Sequence, residues 1–324
     1  MKDLLVELKD CELCEWRCGV NRLEGEVGVC MLEEPRVASA TLHPAPPQSY
    51  TVFMAGCNFR CLSCQNWDIA HFPEQRTDVR GISPPEELAE EAASEINSLE
   101  GRMIGADRIF FSGGSPTPSL PYIEKVVEEA RKIDGEIKVN YDTNGFLTER
   151  SLERVLDFTS SITFDIKAFR DKTHRELTGA PVGPVLRNAR NVAVDSPEKL
   201  WEFRYLLIPE VNEKDVRPLS RFLYEIDEEL PLNFLAFRPN FVLEDYSGVG
   251  RKALNRAVTT AEKAGLKDVS WSGRPGIPGK MEVDEKDVST ISRENGCVTS
   301  PRDCRDCEKI SNCSIKSYSP RRRT

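Results

Sequence analysis

Eleven cysteines gathered into three tight groups constrain this chain more than any other feature of its sequence. Cys11, Cys14, Cys18 and Cys30 form the first group, Cys57, Cys61 and Cys64 the second, and Cys297, Cys304, Cys307 and Cys313 the third. An odd number cannot pair completely into disulfides within one chain. The opening Met1-Lys2-Asp3 leads into an apolar stretch, Leu4 to Val6, that is too short for the core of a signal peptide. No run approaches the ~20 apolar residues that span a bilayer. A cytoplasmic protein with no membrane partner is therefore expected, and in a reducing compartment grouped cysteines bind metals more readily than they form disulfides.

The rest of the sequence has a globular make-up. Hydrophobic residues are 39% of 324, and 20 Gly with 21 Pro exclude collagen-like and low-complexity architectures. Acidic side chains outnumber basic ones by 53 to 44, and the net charge of −9 argues against nucleic acid as a partner. Between the outer cysteine groups, short β-branched or aromatic runs alternate with longer stretches of helical periodicity. Strands are expected at Tyr50 to Ala55, Arg108 to Ser112, Ile137 to Tyr141, Ser161 to Ile166, Trp201 to Ile208 and Asn233 to Phe237. Helices are expected at Pro84 to Leu99, Ser119 to Ile133, Thr148 to Phe158, Val182 to Ala193, Glu213 to Glu229 and Arg251 to Ala264, the first with Ser83 as N-cap before two prolines. This order favours an α/β fold with a parallel sheet and chemistry at the C-terminal strand ends. Cys57, Gly113 with Gly114, Asp142 to Gly145, Asp165 with Lys167, and Arg238 all fall at such ends. Turn preference explains Gly, Asn and Asp there, but not three cysteines or an Asp and Lys pair.

Cys57-Asn-Phe-Arg-Cys61-Leu-Ser-Cys64 packs three thiols into eight residues. Fully extended, Cys57 to Cys61 would cover about 13 Å, so the loop must curl for all three sulfurs to reach one object. Three thiolates on a cubane cluster leave one iron without a protein ligand, open to another molecule. A zinc or redox site with a distant fourth ligand is the plainer alternative. The spacing C-x3-C-x2-C after a first strand resembles the radical S-adenosylmethionine superfamily. The run Ala55 to Trp67, with Cys11-x2-Cys14-x3-Cys18-Gly-Val-Asn-Arg22 upstream, resembles the pyruvate formate-lyase activating enzyme-related proteins. From Thr51 to about Pro239 the order of motifs is similar to that of the glycyl-radical activating enzymes.

That resemblance implies a 4Fe-4S cluster on Cys57, Cys61 and Cys64, with S-adenosylmethionine on the open iron. It implies that Gly113 and Gly114 meet the cofactor's amino group, that Lys167 meets its carboxylate, and that Asp142 and Asp165 help bind a monovalent cation. Asn144, within Asp142-Thr-Asn-Gly145, and Arg204, at the head of Arg204 to Pro209, belong to the same cofactor-binding set; His174 to Gly179 also fits the family. Ser115 stands where the family has an acidic residue, Ser63 where an aromatic one is common, and Arg238 where a histidine is found.

Each outer cysteine group can supply four ligands, closing either a zinc site or an additional 4Fe-4S cluster. Cys304-x2-Cys307-x5-Cys313, with Cys297, resembles the auxiliary-cluster extensions of peptide-modifying radical enzymes. The expected architecture is a partial (β/α)6 barrel of the TIM type at 48–280, between cysteine-rich metal-binding segments at 1–47 and 281–324. The expected activity is reductive cleavage of S-adenosylmethionine to a 5′-deoxyadenosyl radical that abstracts hydrogen from a protein or peptide, fed by a ferredoxin or flavodoxin. The alternatives are a glycyl-radical activase and a non-enzymatic iron-sulfur electron carrier.

Overall fold

The computed structural model describes residues 5–73 and 78–295. The third cysteine group, Cys297, Cys304, Cys307 and Cys313, lies outside the described residues. The fold is mixed α/β, with an eight-stranded, mostly parallel sheet whose strands follow chain order. All six expected strands form, as β2 (Ser49–Met54), β3 (Arg108–Gly113), β4 (Lys138–Thr143), β5 (Ser161–Asp165), β6 (Leu200–Leu207) and β7 (Leu232–Ala236). Two more flank them: β1 (Val37–His43) and β8 (Val269–Ser272). The chain divides into two compact units, residues 1–58 with 66–163, and residues 59–65 with 164–324.

In the first unit β1 pairs antiparallel with β2, while β2, β3 and β4 pair in parallel. Val52, Met54, Ile109, Phe111, Val139 and Tyr141 on these strands are completely buried, as expected where helices cover a parallel sheet. The short helices α1 (Trp67–Ala70) and α3 (Leu99–Ile104) flank α2 (Pro85–Ile96), which packs beside α4 (Leu120–Ile133). Leu120, Ile123, Val126, Val127 and Ala130 form the buried stripe of α4, at the three- and four-residue spacing of one helical face. The expected Ser83 cap does not form. Helix α2 begins at Pro85, and the Ser83 carbonyl instead accepts the Tyr122 hydroxyl at 2.9 Å. Helix α5 (Glu149–Phe158) does have a side-chain cap, Thr148 Oγ1 accepting from the Ser151 amide at 3.3 Å.

In the second unit β6, β7 and β8 run parallel, and the helices are α6 (Asp171–Thr178), α7 (Gly183–Asp195), α8 (Val216–Tyr224), α9 (Arg251–Lys263) and α10 (Glu285–Asn295). The helix expected over 213–229 is shorter than its pattern: a 3-10 turn, Glu213–Asp215, leads into α8. Asp215 ends that turn completely buried. Its carboxylate accepts the amides of Phe169 and Arg170 at 2.9 and 3.0 Å and pairs with the Arg170 guanidinium, which also reaches Glu285 at 3.0 Å. This ties the segment after β5 to α8 and α10. Asp215→Ala leaves two amides and a guanidinium without their anion and is expected to lower the unfolding free energy by about 3 kcal/mol. Urea denaturation measures it, and an unchanged midpoint would show that the network is not holding the unit.

Candidate functional site

The loop after β2 carries Cys57, Cys61 and Cys64, none of them in a disulfide. Part of it is fixed within the second unit. The last carbonyls of a helix lack intrahelical partners, and α6 offers two of them to the loop: Thr178 accepts from the Arg60 amide at 2.8 Å and Leu177 from the Leu62 amide at 2.9 Å. Gly179, left-handed at φ 81°, ends α6. The Cys64 amide donates back to the Cys61 carbonyl at 3.3 Å, and Asn240 Nδ2 holds the Cys64 carbonyl at 2.7 Å. The loop therefore curls, as convergence of its thiols requires.

His174 lies in the middle of α6 and is completely buried, its ring meeting Phe59 edge-on at 5.4 Å. Its Nδ1 bonds the Ala180 carbonyl at 2.7 Å, and Nε2 is buried without a hydrogen-bond partner. Burial lowers its pKa to about 4, so the imidazole is neutral at pH 7 and is a packing element behind the loop.

In the first unit Asn58, next to Cys57, is completely buried and held from three directions. Trp16 Nε1 donates to its carbonyl at 2.7 Å, Asn144 Nδ2 donates to its Oδ1 at 2.7 Å, and its own Nδ2 reaches the Phe146 carbonyl at 3.5 Å. Asn144 Oδ1 in turn accepts from the Phe146 amide at 3.1 Å. Asn144, expected in the cofactor set, thus has one end of its side chain on the loop and the other on the Phe146 amide. Neither Trp16 nor Asn58 was singled out from the sequence. Their only signal was position, one between two cysteines and the other beside a third.

Gly113 ends β3 at φ +113°, where a Cβ would sit 2.4 Å from the Met54 backbone; a Cβ on Gly114 would sit 2.3 Å from the Gly56 carbonyl oxygen. Both glycines are required by the approach of two backbones. The Gly114 and Ser115 amides donate to the Met54 and Gly56 carbonyls at 2.8 and 2.9 Å, and the Gly113 carbonyl accepts from Asn66 Nδ2 at 2.7 Å. Ser115 is buried, and its hydroxyl has no hydrogen-bond partner among the described residues. Asp142, near the end of β4, accepts the Ser112 hydroxyl at 2.6 Å. In the second unit Lys167 Nζ pairs with Asp165 at 2.7 Å, and the Lys167 carbonyl accepts from Asn212 Nδ2 at 3.1 Å. Arg204 donates to Glu202 at 2.5 Å, and Asn233 Nδ2 donates to the other Glu202 oxygen at 3.0 Å.

The donor chemistry fits an iron-sulfur cluster with an amino-acid ligand. Three cysteines on one curled loop are soft donors suited to iron and sulfide. The unsatisfied Ser115 hydroxyl can bond a polar group brought by a ligand, and the Gly113 carbonyl keeps a second lone pair. Lys167 supplies a cation suited to a carboxylate.

The first cysteine group also comes together. Cys11, Cys14, Cys18 and Cys30 line one cavity of about 20 Å³ with Arg22, Gly28 and Pro118. Burial pushes the Cys14 thiol well above its ordinary range, and the other three cysteines add to the rise by charge repulsion. Among the described residues no three His, Cys, Asp or Glu side chains stand in ready single-ion geometry; these four surround a space.

Fold and site define an α/β protein with three thiols on the loop after its first parallel strand and with glycines and paired charges at later strand ends. The chain belongs to the radical SAM superfamily, a superfamily of enzymes that bind S-adenosylmethionine and a 4Fe-4S cluster; residues 51–223 match it. An uncharacterized protein of Methanocaldococcus jannaschii is 26% identical over 280 residues, 82% of this chain and 79% of the relative. The pyruvate formate-lyase-activating enzyme of Staphylococcus aureus is 27% identical over 191 residues, 56% of this chain and 71% of the relative. The crystal structure of Streptococcus suis SuiB has a TM-score of 0.50 at 12% identity, covering 69% of this chain and 48% of SuiB, a likeness of fold alone. Among the described residues no helix is long and apolar enough to cross a membrane.

His174 makes a pH prediction. Its folded pKa, about 4, lies below the ordinary histidine value of 6.5, so the unfolded chain binds the extra proton first. Stability from this group is complete above pH 6.5 and falls as pH drops toward 4. Between pH 6.5 and 5 the loss is about 2 kcal/mol. Denaturation of wild type and His174→Gln at pH 7 and pH 5 should show the steeper decline in wild type; parallel declines would contradict the assignment.

Proposed function

We propose that Cys57, Cys61 and Cys64 hold a 4Fe-4S cluster whose open iron takes S-adenosylmethionine, and that the enzyme removes a hydrogen atom from a protein or peptide. When one electron arrives from a ferredoxin or flavodoxin type of donor, the bound pair supplies a 5′-deoxyadenosyl radical and methionine. The observation that carries this reading is the loop itself: three cysteines with no fourth in the same segment, its backbone tied to α6 and to Asn240. Asn144 and Trp16 act as positioning residues through Asn58. Lys167 is the cation for the cofactor's carboxylate, held ready by Asp165. Arg204, on β6 and paired with Glu202, belongs to the same cofactor-binding set.

A second reading, activation of a glycyl-radical enzyme, draws support from the likeness to the Staphylococcus aureus activating enzyme. The two readings share the cofactor chemistry and differ in the protein that receives the radical.

Anaerobically reconstituted protein given S-adenosylmethionine and a strong reductant is expected to form 5′-deoxyadenosine, and the Cys57→Ala/Cys61→Ala/Cys64→Ala variant to form none. Undiminished product from that variant would remove the basis of the reading. Lys167→Ala is expected to weaken S-adenosylmethionine binding by about 1.5 to 3 kcal/mol, the worth of a charge-assisted hydrogen bond. Calorimetry that finds equal affinity for both proteins would refute the contact.

A further inference from the structure

Arg22 is an unusual neighbour for four thiols. Its side chain is almost completely buried, at 2% exposure, in the wall of the cavity lined by Cys11, Cys14, Cys18 and Cys30. Nε donates to the Leu32 carbonyl at 2.7 Å, and Nη1 donates to the Pro118 carbonyl at 2.7 Å and faces Cys11 Sγ at 3.8 Å. Nη2 is buried with no hydrogen-bond partner. These partners, two carbonyls and a thiol, are neutral, and among the described residues no carboxylate pairs with this guanidinium. A buried charge without a counter-charge is strongly disfavoured, and arginine does not deprotonate. The thiols in the same wall are the groups that can become the missing anion.

We propose that Cys11, Cys14, Cys18 and Cys30 form a metal-thiolate centre of their own, with Arg22 as its buried counter-cation. Four thiolates around zinc, or around an oxidised 4Fe-4S cubane, carry a net double negative charge. Either gives the buried Arg22 guanidinium, whose Nη1 already faces Cys11, the counter-charge it lacks. On binding zinc or a preformed cluster, each thiol loses its proton to solvent and each sulfur gains a bond to metal, so no oxidant or reductant is consumed.

The backbone around the cavity is shaped to bring the sulfurs together. The Gly19 amide bonds the Cys11 carbonyl at 3.1 Å and the Cys11 amide bonds the Val20 carbonyl at 3.2 Å, closing the segment that carries the first three cysteines. Within it, the Arg17 amide reaches the Cys14 carbonyl at 2.9 Å. Gly28 lies so close to Cys18 that a Cβ there would stand 2.7 Å from the sulfur. That glycine makes room for a thiol that would otherwise be pushed aside. The centre is independent of the radical chemistry proposed for the Cys57 to Cys64 loop and stands or falls separately.

The test uses the full-length chain lacking the central ligands, Cys57→Ala/Cys61→Ala/Cys64→Ala, compared with the same chain carrying Cys11→Ser and Cys14→Ser as well. Metal and acid-labile sulfide are measured on both. Loss of one zinc with no sulfide, or of about four irons with a matching amount of sulfide, supports the centre and identifies its metal. Equal metal content in the two chains overturns it. If the serine variant does not fold, alkylation of the unmodified chain gives the answer: the four thiols should be protected as isolated and should react after chelation. Equal reaction before and after chelation overturns the centre. Arg22→Gln should release the metal to a chelator about tenfold faster, as loss of an outer-shell partner does, and an unchanged rate would remove Arg22 from it.

Discussion

A loop that must present three thiolates to one inorganic cluster has to be held by its surroundings, because eight residues cannot bury a core of their own. Here the holding is done by backbone hydrogen bonds. The two carbonyls at the end of α6 take the Arg60 and Leu62 amides, and Asn240 takes the Cys64 carbonyl. Helix α6 in turn depends on His174, a neutral, buried ring against Phe59, and on Gly179, whose left-handed conformation ends the helix where the loop needs free carbonyls. At the start of the loop Asn58, next to Cys57, is fixed by Trp16 and Asn144. Hydrogen bonds thus hold the loop at both of its ends.

The strand ends follow a similar logic in each unit. Backbones of β2 and β3 come so close that Gly113 and Gly114 can bear no side chain, and the neighbouring Ser115 hydroxyl is left buried and unsatisfied. Charges in the second unit are held in short pairs, Lys167 with Asp165 at the end of β5 and Arg204 with Glu202 within β6.

Much of this could be read from the sequence, for reasons that the structure makes plain. The six inner strands are rich in β-branched and aromatic residues, as at Ile109 to Phe111, and the spacing of the middle cysteines announces the loop. Strand β1 escaped because Ala38, Ser39 and Ala40 have no β-branched signature and its antiparallel pairing lies outside the β-α rhythm; β8 escaped because four residues, Val269–Ser272, make too short a pattern. Helix α6 escaped because its buried positions are Thr173, His174, Leu177 and Thr178, three of them polar. Asn144 belongs to a motif expected to bind the cofactor; that it also bonds Asn58 and Phe146 is something only tertiary geometry reveals. Arg22 ends a motif in the sequence; its burial without an anion becomes visible only once Pro118 and Leu32 close over it.

The central claim is that one iron on the Cys57 to Cys64 loop is open and receives S-adenosylmethionine. Electron paramagnetic resonance of the reduced protein, recorded with and without cofactor carrying a labelled amino nitrogen, tests this most directly. A changed cluster signal with hyperfine coupling to that nitrogen is the predicted result. An unchanged signal without coupling at saturating cofactor would mean that the iron is closed, and the account of the site would be wrong.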